Sequence, residues 1–168
     1  GVKDGILHGM YRLSTGGRGK VRVQLLGAGT ILREVIAAAE ILEAQYQVPA
    51  DVWSVTSFSE LRRDGLDCER WNLLHPDQPP RKSYLDRSFA AVSGPFVAAT
   101  DYMRIVADQI RPWVPGRYAV LGTDGFGRSD YRRQLRKFFE VDRYYVAVAA
   151  LKALADEGSI PATTVEIG

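Results

Sequence analysis

A chain of 168 residues that is 46% hydrophobic can bury about 70% of the surface its unfolded form exposes, so its bulk describes one domain able to fold by itself. Twenty-two Lys and Arg against 20 Asp and Glu leave a net charge of +2, without the concentrated basic excess of a dedicated nucleic-acid binder. No apolar run approaches the ~20 residues of a membrane span, no basic-then-apolar leader opens the chain, and the single Cys68 excludes an intrachain disulfide and points to a reduced, cytoplasmic setting.

Val2, Ile6, Met10 and Leu13 are spaced for a short amphipathic helix, and Gly16, Gly17 and Gly19 follow as a flexible stretch. Residues 1–19 therefore read as an N-terminal helix and linker ahead of a single α/β domain over 20–168. The first strand is expected over 21–26. A long helix over 30–46 carries Ile31, Val35, Leu42 and Tyr46 on one face. A second strand over 51–55 hands over to a helix at Ser57, which forms an S-x-x-E pair with Glu60, each side chain meeting an orphan amide of the helix start. Gly65 supplies a left-handed exit, and a second short helical run through Leu66, Arg70, Leu73 and Leu74 halts at His75-Pro76.

Three prolines over 76–81 make a loop. A third strand over 96–99 leads to a helix over 102–111 that Thr100 or Asp101 can cap and Pro112 ends. A fourth strand spans 117–121, short and apolar enough to be interior. Beyond a glycine-rich turn, Tyr131, Leu135, Phe138 and Phe139 form one buried helix stripe. Asp142 can cap a last helix over 143–156, with Gly158 beyond it. The alternation predicts an α/β fold: three layers, a mostly parallel central sheet of about four to five strands, and crossover helices on both faces.

Gly27-Ala28-Gly29 stands between a strand and a helix, where helix-start amides can receive a phosphate. The dinucleotide fingerprint would require a glycine where Leu32 stands and an acid at the end of the second strand, whereas Asp51 stands at its beginning. A tight turn without a nicotinamide cofactor is the simpler reading. The segment from Gly122 to Asp130 is the richest polar loop, at the carboxyl edge where open α/β sheets carry their sites. Asp124 and Arg128 can pair internally, Ser129 or Asp130 can cap the next helix, Arg128 can clamp an anion, or the loop can dock on a neighbouring domain or subunit.

His8 and His75 have no spacing rule linking them to a serine or a metal set, and His75 is placed to bond a terminal helix carbonyl. Cys68 lies between Asp67 and Glu69, whose charges disfavour a thiolate. Glu60, Asp64, Asp67 and Glu69 alternate with Arg62, Arg63 and Arg70 as surface pairs. Arg132, Arg133, Arg136 and Lys137 read as a solvated helix face. Trp53, Trp71 and Trp113 are anchors for the core margin or an interface.

Taken in order, GVKDGILHGMYRL, KVRVQLLGAGTILREV, SVTSFSELRRDGLDCERWNLLHP, ATDYMRIVADQIRPWVP, VLGTDGFGRSDYRRQLRKFFEVD and VAALKAL resemble the last domain of the homodimeric pyruvate dehydrogenase family, over almost the whole chain. The resemblance implies a transketolase C-terminal-domain-like fold and a parent enzyme that decarboxylates pyruvate with thiamine diphosphate and Mg2+, then acetylates a lipoyl group. It implies as partners the other domains of the same subunit, the second subunit of a homodimer, and the dihydrolipoyl acetyltransferase. The family's G-D-G…N cofactor motif has no match, because no asparagine follows Asp124-Gly125 at the required distance. The aminopyrimidine glutamate has no counterpart either, so no catalytic residue and no cofactor are carried over to this chain.

The expected task is architectural, in a piece of a larger polypeptide, with no nucleic acid and no membrane as partner. Its strand-end edge, with Gly27, Gly29, Thr30, Ser57, Glu60, Asp124, Gly125 and Arg128, would make interdomain or small-anion contacts. Two other classes stand beside it: a free-standing phosphate or nucleotide binder using Gly27, Gly29, Thr30 and Arg128, and an independent protein-interaction module.

Overall fold

The computed structural model describes residues 2–166. In chain order the elements are α1 (Val2–His8), β1 (Met10–Ser14), β2 (Val23–Ala28), α2 (Leu32–Tyr46), β3 (Ala50–Val55), α3 (Phe58–Leu74), α4 (Tyr84–Phe89), β4 (Phe96–Ala99), α5 (Arg104–Asp108), β5 (Tyr118–Leu121), α6 (Arg132–Phe138), α7 (Arg143–Asp156) and α8 (Thr163–Glu166). Short 3-10 turns, Gly29–Ile31 and Arg111–Trp113, precede α2 and β5. The strands form one five-stranded sheet in the order β1-β3-β2-β4-β5. β2, β3, β4 and β5 pair in parallel, and β1 runs antiparallel along β3. The expected three-layer, mostly parallel α/β architecture is what the chain adopts.

Alternation along the strands builds the layers. Val23, Leu25, Ala50, Val52, Val97 and Ala99 face a core shared with α2 and α7. Leu26, Trp53, Val55, Phe96 and Ala98 face a second core with Phe58 and Leu61 of α3, Leu85 and Phe89 of α4, and Trp113. Both faces are covered, so the sheet can be apolar on each. Among the described residues no helix is long and apolar enough to cross a membrane.

Several local expectations change. The helix expected to run through Met10 and Leu13 ends at His8, because Gly9 turns the backbone to φ +97°. Met10–Ser14 instead joins the sheet, Met10 opposite Val55 and fully buried. α3 runs unbroken through Gly65, which is no exit: it sits on the inner face beneath the Trp113 ring. Ser57 caps α3 by accepting from the Glu60 amide (3.1 Å). The reciprocal bond is absent, since the Ser57 amide donates to Gly9 (3.1 Å) and the Glu60 carboxylate turns to Arg63.

Neither Thr100 nor Asp101 caps α5; Asp124 does so from the facing loop, its Oδ1 accepting from the Arg104 amide (2.9 Å). The stripe expected in α6 is only half-buried at Leu135 and Phe139, while Tyr131 and Phe138 are exposed, and no residue of this helix is fully buried. α7 spans the expected residues, and Asp142 caps it by accepting from the Tyr144 and Tyr145 amides (3.0 and 3.1 Å).

Candidate functional site

The sheet reverses its order of construction between β2 and β4. From β2 the chain crosses through α2 to β3 on one side; from β4 it crosses through α5 to β5 on the other. Because α2 packs in one core and α5 borders the other, the loops leaving β2 and β4 diverge and open a crevice at the carboxyl ends of the strands. This is where open α/β sheets hold ligands.

The crevice has a volume of about 320 Å³ and is lined by Thr30 and Ile31 after β2, Asp101 after β4, Thr123 and Gly125 to Arg128 after β5, and residues of α6 with Phe139 and Val141. Its floor is tied together by short polar bonds. The Thr30 hydroxyl donates to Asp101 Oδ2 (3.2 Å), the Thr123 hydroxyl to the Asp101 carbonyl (2.6 Å) and the Thr123 amide to the Tyr102 carbonyl (2.9 Å). Gly29 takes φ +56°, and a Cβ there would stand 3.3 Å from Asp101 Oδ1.

Of the positions singled out in the sequence, Thr30, Gly125 and Arg128 line this crevice together, with Gly29 at its lip. Gly27 serves its own helix, since a Cβ would meet Leu32 Cα at 2.9 Å. Ser57 and Glu60 belong to the junction of α3 with Gly9. The Asp124–Arg128 pair does not form: Asp124 faces Arg104 (3.5 Å to Nε), and the Arg128 guanidinium lies over the Phe138 ring, 4.4 Å from its centroid. Neither Ser129 nor Asp130 caps α6, whose N-cap position is Tyr131.

Glu34, at the first turn of α2, escaped the sequence reading. It is buried and accepts from Arg136 Nη1 (2.7 Å), Arg143 Nε (3.0 Å) and the Arg143 amide (3.1 Å). Burial pushes its carboxyl up, but the hydrogen bonds from Arg143 and the charges of Arg143 and Arg136 outweigh this and hold it below the usual carboxylate value. A signal was present: Ile31, Glu34, Val35, Ala38 and Leu42 share one helical arc, and a carboxylate on a buried arc needs a cation. A second polar group missed at the opposite end of the sheet is Gln24, fully buried, donating to Asp51 Oδ2 and the Ser93 carbonyl (both 3.0 Å) and accepting from Trp53 Nε1 (2.8 Å).

Of the remaining candidates, His75 bonds the Trp71 carbonyl (2.8 Å) and stacks on the Trp71 ring. Arg81 lies 4.0 Å from the centroid of that same ring. Trp53 and Trp113 are buried in the core. The Cys68 thiol is pushed up by burial and then by Asp64, so the residue that disfavours its thiolate is one helical turn away and not a chain neighbour. Among the described residues no three His, Cys, Asp or Glu side chains gather at metal-holding distance. Asp101, the one carboxylate among the described residues lining the crevice, accepts from the Thr30 hydroxyl, and no metal and no reaction step are assigned to these residues.

Fold and crevice define the class: an α/β domain with a mostly parallel sheet and a switch-point opening. The profile of the transketolase-like TK C-terminal domain matches residues 9–142, and the chain belongs to that family. It is 58% identical over 162 residues to the pyruvate dehydrogenase E1 component of Cupriavidus necator and 57% identical over 162 residues to that of Pseudomonas aeruginosa. Each match covers 95% of this chain and 18% of the relative, so the chain spans less than a fifth of the proteins it matches. Among solved structures, a split-gene transketolase described as an inactive β4 tetramer shares the fold with a TM-score of 0.61 at 19% identity, covering 89% of this chain and 43% of that one.

Proposed function

We propose that the chain is the carboxyl-terminal domain of a thiamine-diphosphate-dependent, pyruvate-decarboxylating enzyme, and that its own contribution is architectural. In this reading the parent is a cytoplasmic homodimer that passes an acetyl unit to the lipoyl group of a dihydrolipoyl acetyltransferase. The thiamine diphosphate and Mg2+ are held by other domains, and the strand-end edge docks on them or on the second subunit.

The observation that carries the reading is the exposure of large apolar groups around that edge. Phe126 is 97% exposed and Tyr131 85%, with Tyr102, Met103, Ile105 and Phe138 also exposed. Groups of this size clustered at one end of a domain mark a surface made to be covered. The relatives supply something to cover it, since more than four-fifths of their length lies outside the match.

The test mixes the isolated chain with the Cupriavidus necator relative truncated to lack the matching region. Association, with recovery of pyruvate-dependent dye reduction, is expected only from the mixture. Turnover by the isolated chain, or failure of the two parts to associate, overturns the reading.

A further inference from the structure

The switch-point crevice contains charges that its own fold leaves uncompensated. Arg128 and Arg132 both line it, and neither belongs to an ion pair among the described residues. Asp101 lines it as well and receives the Thr30 hydroxyl but no cation. Three guanidinium groups thus line one opening of about 320 Å³: Arg136 is held by Glu34, whereas Arg128, Arg132 and Asp101 form no ion pair with one another among the described residues. Ile31, and Leu135 and Phe139 beside Arg132 on the same face of α6, give the lining an apolar part.

The loop adds an independent sign. A Cβ on Gly125 or on Gly127 would meet nothing within 4 Å, and Gly127 does not take a positive φ. The backbone at Gly127 is therefore open to close approach by another molecule.

We propose that this crevice binds a small organic phosphate of the nucleotide class. The phosphate lies between Arg128 and Arg132, where planar guanidinium forks can bind its oxygens in pairs. A ligand hydroxyl donates to the free oxygen of Asp101, and an apolar ring lies against Ile31, Leu135 and Phe139. The volume stands at the lower end of the range for small-molecule sites and limits the ligand to about one nucleoside monophosphate. The site goes beyond the architectural reading and does not rest on it, because it lies wholly within this chain.

The test is calorimetric titration of the isolated chain with adenosine 5′-monophosphate, alongside adenosine and inorganic phosphate, with amide shifts recorded by heteronuclear NMR. Expected is saturable binding of the monophosphate, tighter than either component, with shifts at residues 29–31, 101 and 123–132. Arg132→Gln and Arg128→Gln should each weaken it about tenfold or more, with Arg132→Lys intermediate and melting temperatures unchanged. Asp101→Asn should weaken the nucleotide and spare inorganic phosphate. Absence of saturable binding overturns the site and leaves the edge to polypeptide docking alone. Equal binding of inorganic phosphate, or indifference to both arginine variants, also overturns it.

Discussion

The Trp113 ring occupies the space beside Gly65 so closely that a Cβ on that glycine would lie 2.4 Å from Trp113 Cε2. A glycine in the middle of a 17-residue helix ordinarily costs about 1 kcal/mol relative to alanine. Here it is the condition for packing α3 against the turn that follows α5. Gly65→Ala should therefore destabilise the chain by about 1–3 kcal/mol in spite of its better helix propensity. Urea denaturation checks this, and an unchanged or raised midpoint would mean that Trp113 can move aside without cost.

Gln24 is the polar centre of the second core, holding Asp51, the Ser93 carbonyl and Trp53 Nε1 at once. Replacing it with leucine conserves bulk but leaves the buried Trp53 Nε1 without its acceptor and takes one donor from the buried Asp51, which keeps Gly16 and Arg22; a buried group left unsatisfied costs about 1–3 kcal/mol. Gln24→Leu should thus lower stability by about 1–3 kcal/mol. Trp53→Phe, which removes only one member of the network, should cost clearly less. Equal losses in thermal unfolding would show that the network is not centred on Gln24.

The crossover pattern was legible because it rests on periodicity. The apolar runs of β2, β3 and β4, the spacing of α2 and the Asp142 cap of α7 are local properties of short segments. What could not be read was tertiary in origin. Gly65 looks like a helix exit until Trp113, 48 positions later in the chain, fills the space beside it. Met10 and Leu13 continue the apolar spacing of a helix, and only the pairing of Met10–Ser14 with β3 makes the stretch a strand. The crevice was half legible: strand ends mark the loops that carry Thr30, Asp101 and Arg128, but Arg132 enters it only through the packing of α6. Glu34 was marked by its place on the apolar arc of α2, but its cations, Arg136 and Arg143, stand more than 100 positions away and could not be read locally.

Asp124 caps α5 from across the loop instead of pairing with Arg128. Asp124→Ala should remove about 1 kcal/mol or less, since its side chain is half exposed. The loss should be local: hydrogen exchange is expected to quicken at Arg104 to Ala107 and along residues 122–130, leaving α7 unaffected. Uniform acceleration across both cores would mean that the contact stabilises the whole domain and not this loop alone.

Glu34 joins α2 to both α6 and α7, so its charge state should govern how firmly α6 is held. Its carboxyl is held below the usual value in the folded chain. A carboxylate lowered in this way contributes its full stability above the unfolded pKa and loses it as pH falls through the folded one. Glu34→Gln keeps the shape and removes the charge. Because Arg143 and Arg136 are partly solvated, the expected cost at neutral pH is modest, about 1–2 kcal/mol. The difference between the parent chain and Glu34→Gln should stay level from neutral pH down to about 4.3, the ordinary glutamate value, and shrink below it. Denaturation midpoints for both proteins across this window test the sign. A difference that stays constant into the acid range would place the stabilisation in packing, and one that grows would reverse the assignment of charge altogether.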